Sequence, residues 1–356
     1  MEATAAKEPQ DLLRALEENP KARPRDLAAQ LGVTEADLVA ARIGLGVTRI
    51  DASPDALMPL LGGLGPVMAL TRNESAVSEK TGVYDNYHSG DHAAMVLNGA
   101  IDLRIFPKYW VHGFAVEVET DNGVRRSLQV FDAAGDAVHK VILPLDADPS
   151  GWQSIRTALA TGDASQALSL EPRAPVEGPK SEPAKRDILL KEWERLTDTH
   201  QFLRLTAKLR MNRLGAYRIA GAPWVRALAP SALDTALETL SAQGVEVMIF
   251  VGNRGCIQIH SGPMHTMKKM GPWQNVLDPD FNLHLRSDHV AELWAVEKPT
   301  RRGPALSLEG FDKDGALILQ VFGKRTDEAD HRPAFAEVVA GLNSAEDADQ
   351  KKEPVA

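Results

Sequence analysis

His200 is the side chain in this sequence best suited by type and setting to do chemistry. It lies between Trp193-Glu194-Arg195-Leu196-Thr197-Asp198-Thr199 and Gln201-Phe202-Leu203, and positions 193, 196, 200, 203 and 207 would share one face of a continuous helix. An imidazole on an apolar stripe has two readings. It is commonly a satisfied core residue. At the edge of an apolar slot it would instead offer a neutral nitrogen donor to a haem-type iron, with apolar walls for the ring faces. Spacing alone leaves both open.

Other histidines make weaker patterns. His260, His265, His284 and His289 form a loose cluster without a His-x-x-x-His spacing and a third ligand. His88 and His92 flank Ser89-Gly90-Asp91, which reads as a surface loop. Cys256 is the one cysteine, so an intrachain disulfide and a thiolate-built zinc or iron–sulfur site are excluded by count.

The elements that must position these groups come from a duplication. Val67 to Ile142 aligns on Val247 to Phe322 at a constant shift of 180 positions, with 18 of 76 positions identical. Unrelated sequence would give roughly 5. Alternating apolar residues (Phe114, Val116, Val118; Leu128, Val130) lead into Phe-Asp-x-x-Gly in each copy. That pattern predicts paired strands and a turn in which Gly135 or Gly315 takes positive φ. Helical blocks precede each sheet block, at Pro9 to Gly44 and Lys185 to Ala220, and Leu57 on Leu233 gives the upstream shift of 176.

The expected fold class is α+β: two tandem structural repeats, each a large antiparallel β-sheet with helices packed on it. The expected domains are a first repeat over 1–160, a Pro-rich linker over 161–187, a second repeat over 188–343 and a disordered tail over 344–356. The linker carries Pro172, Pro175, Pro179 and Pro183 among Glu, Ser and Lys, a composition too poor in apolar area to order itself. Arg23 to Arg42 has the rhythm of a helix-turn-helix, but Glu35 and Asp37 on its second helix oppose nucleic-acid binding.

The chain has 356 residues, 44% apolar and 25% charged, with formal net charge -9. This is a globular composition whose field repels nucleic acid and anionic membranes. The N-terminal residues are charged where a secretory leader is apolar, and no run of about 18 apolar residues occurs. A cytoplasmic protein without membrane insertion is expected.

Longer runs carry a specific resemblance. Phe250-Val251-Gly252-Asn253-Arg254-Gly255-Cys256 through Pro263, Met270-Gly271-Pro272-Trp273, and Phe281-Asn282-Leu283-His284-Leu285-Arg286 are similar to the hemin-degrading-factor family of bacterial haem-uptake systems. Thr71-Arg72-Asn73-Glu74, Glu79 to Tyr84 and Ile101 to Phe106 match it in the first copy. The resemblance implies haem b (iron protoporphyrin IX) as the bound group and His200, in Leu-Thr-Asp-x-His-Gln-Phe, as its iron ligand. It places Arg104, in Asp-Leu-Arg-Ile-Phe, on the iron's other side and the propionate contacts on Arg213, Lys298 and Gln320. Phe322 stands where the family often has tyrosine, so one hydroxyl contact is missing. Phe106, Met248 and Phe250 would supply apolar walls, or equally be ordinary sheet core.

The repeat alignment limits the stoichiometry. Arg104 faces His284, Lys298 faces Val118, Gln320 faces Lys140, His200 faces Pro24 and Arg213 faces Asp37. The copies disagree at every one of these positions, which predicts one haem per chain, with Arg104 lent by the first copy to a pocket mostly in the second. Arg213 and Lys298 would neutralise the two propionates. Arg104 stays charged near neutral pH, so it suits hydrogen-bond donation rather than proton transfer.

The leading expectation is a haem carrier between an importer and a downstream acceptor or oxygenase. The alternative is a haem-degrading, haem oxygenase-like enzyme in which Arg104 has the catalytic role. A haem-sensing DNA-binding regulator is a third reading, resting only on the helix-turn-helix rhythm.

Overall fold

A computed structural model describes residues 7–345, so most of the tail expected to be disordered, 346–356, lies outside the described residues. The strands lie in two large antiparallel sheets, with helices packed on them, in the expected α+β class. Gly135 and Gly315 take φ of 81° and 91°, as the Phe-Asp-x-x-Gly turns require. Among the described residues no helix is long and apolar enough to cross a membrane.

The chain divides into two compact units. The first comprises Met1–Arg72, Ser78–Ala174 and Gly252–Gln258; the second comprises Asn73–Val77, Pro175–Val251 and Ile259–Ala356. Each unit is thus completed by a short turn from the other half of the sequence.

In the first unit the strands run in the order Val47–Ile50, His112–Thr120, Gly123–Phe131, Ala137–Ile142, Val67–Arg72. Helices Pro54–Leu61 and Pro149–Leu159 pack on the face carrying Val67, Ala69, Leu128, Val130 and Val141. Helix Glu35–Ala40 packs on the opposite face against Phe114, Val116 and Phe131. The helix-turn-helix rhythm becomes helices Pro24–Leu31 and Glu35–Ala40, yet Glu35 is buried on Arg72 and Lys140. The borrowed turn is held by Asn253, whose Nδ2 donates to Arg72 O at 2.9 Å and Val138 O at 2.8 Å. Its Oδ1 accepts from Gly255 N and Cys256 N.

The second unit repeats this order with Val225–Leu228, Glu292–Lys298, Ala305–Phe311, Leu317–Gly323 and Val247–Gly252. Helices Ala232–Ala242 and Arg332–Ala340 cover the face of Val247, Ile249, Leu319 and Val321. Helices Arg186–Glu194, Gln201–Lys208 and Arg213–Ala220 cover the other. The turn at Asn73 repeats the bonding of its counterpart, with Nδ2 donating to Ile318 O at 2.8 Å and Oδ1 accepting from Ser75 N and Ala76 N.

The linker departs from expectation. Its composition supplies little apolar area, but hydrogen bonds hold it. Glu171 N donates to Ala133 O in the first unit, and Lys180 is bonded to Asn212 in the second.

Candidate functional site

His200 does not sit on a helical stripe. Helix Arg186–Glu194 ends before it and helix Gln201–Lys208 starts after it, so His200 is the residue that opens the second helix. Trp193 and Leu196 are buried, whereas the imidazole is 91% exposed and Leu203 is 52% exposed. Thr197, Asp198 and Thr199 explain the break, because short polar side chains bond the local backbone in competition with helix. Asp198 Oδ1 accepts from His200 N at 2.8 Å, and Gln201 Oε1 accepts from Thr197 N at 2.9 Å.

The same Asp198 oxygen lies 2.7 Å from His200 Nδ1. A carboxylate there accepts a hydrogen bond from Nδ1–H, which favours the tautomer whose Nε2 carries the lone pair. The backbone and ring hydrogen bonds from His200 hold the Asp198 carboxyl below its usual range. Aspartate two residues before a histidine is the sequence signal for this pair.

Two strands of the second unit, Glu292–Lys298 and Ala305–Phe311, and helix Arg213–Ala220 carry a buried charge cluster centred on a residue that the sequence reading missed. Glu309 is fully buried; its Oε1 accepts from Lys298 Nζ at 2.7 Å and Ser307 Oγ at 2.9 Å, and its Oε2 from Arg213 Nη1 at 2.8 Å and Tyr217 OH at 3.0 Å. Burial alone would raise this carboxyl, but Lys298 and then Arg213 reverse the effect and hold it well below the ordinary range. Burial lowers Lys298, against the attraction of Glu309. The Lys298 side chain is 5% exposed and that of Arg213 is 21% exposed. The two cations expected to be free for a ligand therefore share one internal carboxylate, with one positive charge in excess. A glutamate on an apolar strand, Ala305-Leu306-Ser307-Leu308-Glu309, was the available clue.

Beside this cluster runs a half-open shelf. Across the antiparallel ladder Trp294 pairs with Glu309, Glu309 with Gln320, and Gln320 with Phe250; one row over, Val296, Ser307, Phe322 and Met248 pair in turn. Directly opposed residues project to one face. Met248, Phe250, Gln320 and Phe322 are half-buried, and the Phe250 and Phe322 rings meet edge-on with centroids 5.4 Å apart. They belong to the face covered by helices Arg186–Glu194, Gln201–Lys208 and Arg213–Ala220, not to the face formed by Val247, Ile249 and Val251.

Arg104 and Phe106 lie in the first unit. Arg104, on strand Asp102–Ile105, donates to Asp102 Oδ1 and to Leu103 O, and its side chain is 32% exposed. Phe106 is half-buried. Of the loosely clustered histidines, His284 bonds Asn275, His289 bonds Ser75 and His260 stacks on Phe281.

Fold and site together define a duplicated antiparallel-sheet protein with an outward imidazole, a buried cation pair and an apolar shelf in one unit. The sequence model of the haemin-degrading HemS.ChuX domain matches residues 32–159 and 210–342. The hemin transport protein HmuS of Yersinia pestis is 37% identical over 335 residues, covering 94% of this chain and 96% of that one. The structure of holo-PhuS, a heme-binding protein from Pseudomonas aeruginosa, matches with TM-score 0.89 and 41% identity, covering 95% of this chain and all of that one. ChuS, an E. coli heme oxygenase, matches with TM-score 0.82 and 33% identity over 93% of this chain and 98% of that one. The chain belongs to the haemin-degrading HemS/ChuX family.

Proposed function

We propose that this protein binds haem b, one per chain, with His200 Nε2 as the iron donor, and carries it through the cytoplasm from an importer to a downstream acceptor or oxygenase. The observation that carries the reading is His200 itself, its Nδ1 fixed by Asp198 and its Nε2 free at an exposed turn. Relatives that cover nearly the whole chain are a hemin transport protein and a heme-binding protein.

The residues present fit such a cargo. Met248, Phe250 and Phe322 offer half-buried apolar surface for a ring face. The single positive charge left over by Arg213, Lys298 and Glu309 matches one propionate, and Gln320 offers an amide to the other. Arg213 also opens helix Arg213–Ala220, where a cation faces the positive end of the helix dipole. That unfavourable placement is offset by Glu309 and, under this reading, by an incoming carboxylate. Phe106 remains assigned as apolar surface in the first unit.

Haem degradation is the second reading, favoured by the likeness to a heme oxygenase. Bound iron would supply the oxygen chemistry, and Arg104 would be the catalytic hydrogen-bond donor. Titration of the purified protein with hemin, followed by absorbance, tests the main reading: saturation at one equivalent is expected, with His200→Ala weakening binding and changing the spectrum. Unchanged binding and spectrum in that variant refute it. Release of CO with loss of the Soret band, under an electron donor with catalase present, selects degradation; transfer of intact haem selects carriage.

A further inference from the structure

We infer that the end of the inter-repeat linker, residues 178–186, is a clamp that positions Arg213, and that Asn212 and Gly215 are its seats. The role assigned to Arg213 rests on the haem reading above. The clamp itself stands on geometry within the second unit. Asn212 N donates to Lys180 O at 3.0 Å, Lys180 N donates to Asn212 Oδ1 at 3.0 Å, and Asn212 Nδ2 donates to Gly178 O at 2.8 Å. The same Oδ1 accepts from Gly215 N at 2.9 Å, capping the helix that begins at Arg213. One side chain thus ties the linker to the residue immediately before Arg213.

Gly215 shows how close the approach is. A Cβ there would lie 1.9 Å from Lys180 O and 2.2 Å from its carbonyl carbon, so the linker can seat only against glycine. Further along, Arg186 donates to Ile219 O and Ala220 O, both at 2.7 Å, capping the far end of the same helix. Lys185 Nζ donates to Leu209 O at 3.0 Å, at the end of the helix that His200 opens. The clamp therefore grips the Arg213 helix at both ends. We assign Asn212 and Gly215 as positioning residues, acting on the ligand through Arg213.

The Lys180 side chain is 56% exposed while its backbone is bonded on both sides, so tryptic cleavage after Lys180 reports opening of the clamp. Gly215→Ala is the sharpest probe, because alanine favours helix while its methyl must expel the linker. Expected results are faster cleavage in the haem-free protein and hemin affinity reduced roughly tenfold, the scale on which supporting residues tune a ligand site. In an Arg213→Met background the same substitution should leave affinity unchanged, which a general loss of stability would not do. Should Gly215→Ala fail to fold, Asn212→Asp keeps both acceptor bonds and removes the donor to Gly178, with the same outcome expected. Faster cleavage with undiminished affinity, unaltered cleavage, or an equal loss in the Arg213→Met background each overturns the inference. Failure of the unsubstituted protein to bind hemin overturns the haem reading instead, and leaves the cleavage result to judge the clamp.

Discussion

The two units share a backbone and differ in where they place polarity. In the first, Thr71, Tyr84, Trp110, His139 and Cys256 are buried together: His139 Nδ1 lies 2.8 Å from Thr71 Oγ1, its Nε2 lies 2.6 Å from Tyr84 OH, and Trp110 stacks on its ring. At a shift of 180, the same places in the second unit hold Val251, Met264, Val290 and Leu319, with Ala76 from the exchanged turn, all in one apolar core. On the opposite face of each sheet the sign of the charges is reversed. In the first unit the row Phe114, Gln129, Lys140, Leu70 carries a cation, and Glu35 at the start of its helix reaches Lys140. In the second the row Trp294, Glu309, Gln320, Phe250 carries the carboxylate, and Arg213 at the start of its helix reaches down to it. Glutamate suits the first turn of a helix and arginine does not. The first unit's arrangement is what stability alone favours, and the second unit's departs from it at the residues proposed to meet the ligand.

The largest expected effect tests that contrast by stability. Glu309→Gln leaves Lys298 and Arg213 buried without a counter-charge and should cost about 3–5 kcal/mol in chemical denaturation. Glu35→Gln should cost less, since the Glu35 side chain keeps 8% exposure whereas that of Glu309 keeps none. Equal losses would break the comparison. Lys298→Met should weaken hemin binding by about tenfold, roughly 1.4 kcal/mol, with the spectrum retained. Lys140→Met, which removes the ion-paired cation of the other unit, should leave hemin affinity alone, and a matching loss there would end the functional distinction between the units.

Acid sensitivity sharpens the difference between the cores. Burial pushes His139 down to about 3 from an ordinary 6.5, so the unfolded chain binds its proton first. The stability gained by a neutral imidazole is complete above pH 6.5 and falls as the pH drops toward 3. Half-buried His112, lowered first by burial and then by Arg49, adds in the same direction. Glu35, held at about 2 against an ordinary 4.5, loses its contribution only below pH 4.5. His139→Gln should therefore lower the acid midpoint by about half a pH unit, read by circular dichroism, with little change at pH 8. An unchanged acid midpoint would separate the polar core from acid lability. The smallest expected effect concerns Cys256, whose thiol burial pushes up to about 12. At neutral pH it should react with a thiol reagent only as fast as the first unit opens, and prompt labelling of the native protein would contradict its burial.

Much of the fold was legible because antiparallel strands write their period into the sequence, and the copies write it twice. Phe114 and Val116 face one layer and Leu128 and Val130 the other, as alternation requires. The site was legible only in part. The apolar spacing around His200 suggested one helix, but Asp198 bonds the backbone locally and divides it. Arg213 and Lys298 are visible as cations in the sequence, whereas Glu309, 96 residues from Arg213, becomes the partner of both only through strand pairing and helix packing. The linker's order was hidden for a similar reason, since its hydrogen bonds end on Asn212, a residue inside the following helical block.

The exchanged turns bear on how the protein is made. When the ribosome has delivered the 174 residues of the first half, that half still lacks Gly252–Gln258, and with it the Asn253 amide that ties Arg72 to Val138. Completion waits until translation has passed residue 258, well into the second copy. A nascent chain shorter than this exposes an unfinished sheet, so early termination yields a fragment for quality control rather than a smaller working protein.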